Sequence, residues 1–340
     1  MDLIEVLDGG MLSTVQDLGR YGYQRYGVPV SGALDLFALR AGNRLVGNAD
    51  DAAGLEITLI GPRLRFLSPA VIAITGADLD PRLDGHRVSM WQSVPVKEGT
   101  TLAFGDVRDG VRAYLAVAGG FDVPLVLGSR STYTRSKLGG IGGRAIRAGD
   151  RLPGVAAPVV EGARSRRLPR RLVPTYGHQH ALRVVLGPQD DAFSEEGVRA
   201  FLSSAYQVSE QSDRIGYRLN GPTIAHKAGP DIISDGIPFG AVQVPADGQP
   251  IVLLADRGTT GGYTKIATLI SADLPRLAQA MPSDEVTFAR VSLEDANRAL
   301  REQEDRLDQI ETVDPDAERA WAVRAAAAAA AAAIARGHRP

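Results

Sequence analysis

Cysteine is absent from this chain. That excludes a disulfide framework, thiolate zinc ligation and a cysteine nucleophile, and it fits a reducing compartment. Charge of one sign is not in excess either. The 38 Lys and Arg against 40 Asp and Glu leave a formal net charge of −2, which makes no electrostatic case for nucleic acid. Long apolar runs are missing as well: stretches such as 70–74 are strand-sized, far below the roughly 18 residues a membrane span needs. The opening Met-Asp-Leu-Ile-Glu-Val has no basic start and no long apolar core, so no signal peptide is read. The expectation is a soluble, cytoplasmic protein with no membrane or nucleic-acid partner.

Familiar catalytic signatures are also lacking. There is no Gly-x-x-x-x-Gly-Lys-Ser/Thr phosphate loop and no Gly-x-Ser-x-Gly nucleophile elbow. Gly139-Gly-Ile-Gly-Gly-Arg-Ala145 matches a dinucleotide fingerprint only in part, and it reads better as a turn or a backbone anion nest. His178 and His180 would share one face of a strand, but no third ligand is signalled; they read as surface histidines, and no metal site is expected. No Ala-Met-Lys-Met type of attachment site is present, so the chain does not itself carry biotin.

What is present is a β-rich pattern. The 340 residues, 44% hydrophobic, allow a large core and favour two domains. Short β-rich segments at 3–7, 54–59, 63–66, 71–75, 101–104 and 112–117 are bounded by Gly, Pro or Asp, which suggests a barrel or sandwich. The expected class is mainly β with a few helices. A first domain would span 1–153, a linker 154–180, a second domain 181–291, and a C-terminal helix and tail 292–340. The basic run 164–171 lacks interleaved aromatics and reads as solvated linker. Helices are expected at 33–46 with Ser31 as N-cap, at 191–203, around 263–269, and from the Ser292/Asp295 capping box to about 310. The alanines at 325–333 carry no functional message.

Polar residues concentrate beside glycines in 212–267, where a ligand or a second backbone can approach closely. Asp213, Arg214, Ser234, Asp235, Gln243, Asp256, Arg257, Thr259, Thr260 and Lys265 form the strongest constellation. Asp213 or Asp235 would serve as base or metal ligand, and Arg257 or Lys265 would stabilise negative charge. The amides of Gly261 and Gly262, beside Tyr263 and before the expected helix, would cradle a carboxylate, carbamoyl or phosphate group. The alternative is a buried Asp–Arg network joining loops. In the first half, Gln16, Asp17 and Arg20 are either ligand contacts or a stapled turn. Arg130 offers a guanidinium fork beside Ser129, Ser131 and Thr132. Gln16 to Tyr23 faintly echoes Ser212 to Arg218.

Taken together, seven segments resemble one family. They are Thr14-Val-Gln-Asp-Leu-Gly-Arg20, Val28-Pro-Val-Ser-Gly-Ala-Leu-Asp35, Asn43-Arg-Leu-Val-Gly-Asn48, Leu55-Glu-Ile-Thr58, Gly128-Ser-Arg-Ser-Thr-Tyr133, Ser212-Asp-Arg-Ile-Gly-Tyr-Arg-Leu219 and Ala255-Asp-Arg257 with Thr259-Thr-Gly-Gly-Tyr263. The family is that of the 5-oxoprolinase C component, also called KipA or allophanate hydrolase subunit 2, which is related to the carboxyltransferase region of urea carboxylase. The resemblance runs over about 3–291 and implies two tandem cyclophilin-like β-barrel domains. It also implies a complex with a KipI-like B subunit and an A subunit, acting on a lactam or amide with ATP and Mg2+. Arg130, Arg214, Arg257, Lys265 and the Gly261 and Gly262 amides would then meet phosphate or carboxylate, with Asp213 and Asp235 beside them. Two other roles accompany the family. One is carboxyl transfer to urea or another amide from biotin held on another chain. The other is a KipA-like binding protein that relieves a kinase inhibitor. The chain departs from the family where Gly258 replaces an expected Gln and Thr264 an expected Pro.

Overall fold

In the computed structural model, residues 1–154 and 165–313 are described. Over these residues the protein is mainly β with four helices, α1 (Leu36–Val46), α2 (Glu195–Ser203), α3 (Leu274–Leu277) and α4 (Leu293–Asp308). All six expected early strands are found. They belong to two sheets, one of six strands that includes Asp2–Asp8 and Arg63–Phe66, the other of five that includes Gly54–Thr58, Ala70–Asp78 and Asp109–Val117. Arg63–Phe66 alternates exposed and buried along its length, as a half-buried strand must. Ile4, Leu64 and Phe66 from one sheet meet Leu55, Ile57, Ile72 and Leu115 from the other in a core that excludes water. Burying each such side chain contributes roughly 1.5–3 kcal/mol.

The second half is a closed seven-stranded barrel. Gln179–Leu186 pairs antiparallel with Lys265–Leu269 and parallel with Glu285–Arg290, which closes the ring. Leu34, from the first half, packs into this barrel's core. A separate two-stranded ribbon, Asp231–Gly236 with Thr260–Tyr263, stands outside the barrel, and Ile233 on it is 96% exposed.

Several local expectations are corrected. α1 begins at Leu36, and its cap is Asp35, whose Oδ1 accepts the Ala38 N–H at 2.8 Å. Ser31 instead adopts a left-handed φ of 56° and caps nothing. The 191–203 segment is a 3-10 turn followed by α2, which Ser194 caps. No helix forms at 263–269. Lys265–Leu269 is a barrel strand between Gln179–Leu186 and Ala241–Gln243, because β-branched Ile266 and Thr268 pack well on a pleated surface with partners on both sides. The Ser292/Asp295 capping box is present and opens α4.

The basic run is also not free chain: Ser165–Arg167 pairs with Glu311–Val313, and Leu168 is buried in one cluster with Trp91 and Leu307. Arg166 donates to the Arg44 carbonyl, and Arg167 pairs with Glu311 at 2.7 Å. Residues 155–164 of the expected linker and the alanine run lie outside the described residues.

Candidate functional site

The residues singled out from the sequence separate into four places. The first is the loop 122–132, which folds onto the strand Leu12–Gln16. Asp17 accepts the Ser129 hydroxyl at 2.7 Å, the Arg130 amide at 2.6 Å and the Ser131 hydroxyl. Arg20, fully buried, donates to the carbonyls of Val126 and Ser131, each at 2.8 Å. Gln16 donates to Thr132 O at 3.1 Å, and Arg130 donates to Val123 O at 2.9 Å. These side chains are occupied in shaping their own loop. The glycines of 139–143 serve the same loop region. Gly139, Gly140, Gly142 and Gly143 all have positive φ, and a Cβ on Gly143 would lie 1.9 Å from the Lys137 carbonyl carbon. The stretch is a tight turn.

The second place is the seam between the halves. Arg214, expected as a catalytic cation, is buried and bonded on every side. It donates to Glu56, to both oxygens of Asp256 at 2.9 and 3.1 Å, and to Gly32 O at 2.7 Å. Glu56 in turn accepts the Leu34 amide and the Tyr114 hydroxyl. Burial would raise the Glu56 pKa, but Arg214 and Arg112 beside it hold it below the usual range. Next to this group, Gln279 accepts the amides of Val111 and Arg112 and donates to Asp35 at 2.8 Å. Burial pushes the Asp35 pKa up to about 6, against the Gln279 and Ala38 hydrogen bonds. The sequence reading missed Glu56 and Gln279. A single Glu inside the apolar strand Leu55-Glu-Ile-Thr58 was the signal available for the first.

Asp213 is the third. It accepts the amides of Ile215 and Gly216, and it faces Arg135 at 3.8 Å on the surface. Asp17 makes the matching bond to Gly19, so the echo between the two segments is a shared Asx turn.

The fourth is where the remaining residues meet, around the ribbon and the barrel end beneath it. Arg257 lies under the ribbon's start. It donates to Ile237 O at 2.9 Å and Leu254 O at 3.0 Å, and its guanidinium sits 5.4 Å from the centre of the Phe239 ring. No carboxylate among the described residues pairs with it. Burial lowers its pKa to about 10, opposed by Tyr21, so it remains a cation at neutral pH. It borders a cleft of about 310 Å3 lined also by Gln24, Pro29, Val30, Ile237, Gly258 and Thr259. A buried cation without a counter-ion is costly, and a bound anion relieves that cost. A side chain at Gly258 would project from the wall of this cleft, since a Cβ there meets only Thr260 O at 3.3 Å.

Behind the cleft, packed contacts run from Ile237 through Gly261 and Gln243 to Lys265, which does not itself line the cleft. Gly261 touches Ile237 and Gln243 so closely that a Cβ would stand 2.7 and 2.9 Å from their side chains. Gln243 faces Lys265 across the barrel strands and donates to Tyr263 O at 3.3 Å. Lys265 is completely buried, and its ammonium meets Asp235 on the ribbon; Asp235 also accepts from Gln189 at 3.1 Å. Ser234 lies across the ribbon from Gly262. Thr260 and Tyr263 pair with Gly236 and Asp231. Gly261 and Gly262 are thus strand residues and do not offer helix-end amides to an anion. Thr264 is buried with its hydroxyl 3.0 Å from His226 Nε2, a contact a proline would abolish.

The two histidines expected at the surface differ. His180 is buried, His178 is exposed, and both reach Asp284. Among the described residues no group of three or more His, Asp and Glu side chains is arranged for a metal, and no helix is long and apolar enough to cross a membrane.

Residues 26–290 match the family model "Carboxyltransferase domain, subdomain A and B". The chain belongs to this family. Over 308 residues it is 39% identical to the C component of Escherichia coli 5-oxoprolinase, covering 91% of this chain and 97% of the relative. It is 36% identical to urea amidolyase of Saccharomyces cerevisiae over 89% of this chain, but only 17% of that protein. The crystal structure of K. lactis urea amidolyase superposes with a TM-score of 0.85 at 33% identity over 92% of this chain. This carboxyltransferase-family chain spans about a fifth of that one.

Proposed function

We propose that the protein is the C component of a cytoplasmic, ATP-dependent 5-oxoprolinase, working with B and A subunits to open 5-oxoproline to L-glutamate. The observation that carries this reading is Arg257, a buried guanidinium that no carboxylate among the described residues pairs with, bordering a cleft of about 310 Å3 that has room for a small lactam acid. The near-complete length match to the E. coli 5-oxoprolinase C component supports it.

A lactam is a poor electrophile. Transfer of the γ-phosphoryl group of Mg2+-bound ATP to the lactam oxygen, with release of ADP, makes its carbon reactive. Addition of one water then breaks the C–N bond to give γ-glutamyl phosphate, and a second water releases phosphate. Arg257 would hold the substrate carboxylate or the phosphoryl group. Lys265 and Asp235 would stabilise developing charge and move the proton to the departing nitrogen, with Gln243, Ser234 and Thr259 orienting the ring. ATP and Mg2+ are cosubstrates of the assembled complex under this reading.

The 0.85 TM-score to urea amidolyase favours one second reading, carboxyl transfer to urea or another amide. The same guanidinium would then take the carboxylate of carboxybiotin carried by another chain. ADP release from ATP by the purified chain with its B and A partners, with and without 5-oxoproline, separates the two. Release that requires 5-oxoproline and falls at least about tenfold in Arg257→Ala supports the first. Release indifferent to 5-oxoproline in a folded, associated complex rejects it.

A further inference from the structure

A second cavity, of about 350 Å3, opens on the seam where the start of α1, α3, α4 and residues 173–176 converge. We propose that it is a binding site for a small monocarboxylate carrying an amide or ammonium group, with Arg276 and Arg306 taking the carboxylate. It is separate from the Arg257 cleft and shares no lining residue with it.

Arg306 donates to Leu172 O at 2.5 Å and lies 4.8 Å from the centre of the Phe37 ring, which holds its plane at the cavity. Neither Arg306 nor Arg276 pairs with a carboxylate among the described residues. Arg183, the third arginine on the wall, differs: its Nε and one Nη donate to Asp273, at 2.9 and 2.6 Å. Burial lowers the Arg306 pKa, and the nearby Arg276 lowers it further while Tyr176 opposes. Two cations facing one cavity repel each other, and a carboxylate placed between them turns repulsion into two charge-assisted contacts.

The cavity wall near Arg306 also suits a donor. The Tyr176 hydroxyl is buried beside Asp35 without completing a hydrogen bond of normal geometry, and Glu302 lies on the wall contributed by α4. Arg183, Arg276 and Arg306 are balanced by Asp35, Asp273 and Glu302, so the lining has no excess positive charge for a dianion such as phosphate. One carboxylate with an adjacent donor matches this lining.

Isothermal titration of the full chain with L-glutamine, with acetate and inorganic phosphate as competitors, tests the assignment. L-Glutamine should bind saturably and acetate should displace it, while phosphate should not. Arg276→Ala, at an exposed position, should weaken binding about tenfold or more, as should Arg306→Met. Arg257→Ala should leave it unchanged. The assignment is overturned by no saturable binding up to about 20 mM, well beyond the weakest useful affinity. Displacement by phosphate, or binding insensitive to both Arg276→Ala and Arg306→Met, overturns it equally. So does loss in Arg257→Ala alone.

Discussion

Replacing Arg214 with Met removes a guanidinium from between two buried carboxylates, Glu56 and Asp256, that are 2% and 6% exposed. Glu56 keeps its bonds from Leu34 and Tyr114 and the charge of nearby Arg112, but both carboxylates lose the guanidinium that bonds them directly. Breaking a buried pair in this way costs about 3–5 kcal/mol. For a chain of this size the thermal midpoint should fall by roughly 6–20 °C. Urea denaturation of Arg214→Met, Glu56→Gln and the double variant closes a cycle in which the paired loss is smaller than the sum by roughly 1–3 kcal/mol. The pH dependence has a definite sign. Because neighbouring arginines hold the folded Glu56 below its ordinary 4.5, its contribution is complete above pH 4.5 and is lost as pH falls through the lower folded value. An Arg214→Met protein of unchanged stability, with activity alone abolished, would refute the seam assignment and return Arg214 to the reacting groups.

Asp35 should behave in the opposite sense to Glu56. Its folded pKa, raised by burial from 3.8 to about 6, means that its contribution is fully present below pH 3.8 and is lost as pH rises through about 6. The stability difference between wild type and Asp35→Asn, measured by urea denaturation from pH 4 to pH 7, should therefore move in favour of the variant by roughly 1–3 kcal/mol. At the barrel end, Lys265→Met should change stability by less than about 1.5 kcal/mol, because a volume-conserving apolar side chain replaces a buried ion. Asp235→Ala should cost more, since it strands the buried ammonium; equal costs in thermal melts would contradict this. In the 139–143 turn, Gly143→Ala should lose about 2–4 kcal/mol through backbone collision, and Gly142→Ala only about 1 kcal/mol, as nothing lies within 4 Å of its Cβ. Denaturant midpoints of the two variants decide it.

The strands of the first half were legible because strand periodicity is local. A segment such as Arg63–Phe66 declares its buried face through alternation alone. The Ser292/Asp295 cap was legible for the same reason, since both partners lie within one turn. The same local logic misplaced a helix at 263–269, where pairing on both sides inside a barrel overrides any local preference. It also misjudged the basic run, whose Leu168 finds its apolar partners, Trp91 and Leu307, far away along the chain.

The sequence by itself determined the β class, the family and the set of polar residues from which a site could be made. Only the tertiary structure decided which of them are free to act. Arg214 and Arg257 each follow an Asp in glycine-containing neighbourhoods and look alike as sequence. Yet one is bound by Glu56, 158 residues earlier in the chain, and the other, among the described residues, meets carbonyl oxygens and an aromatic ring. Whether a buried guanidinium has a counter-ion is a property of contacts between distant segments, and that property separates a strut of the fold from a place to hold an anion.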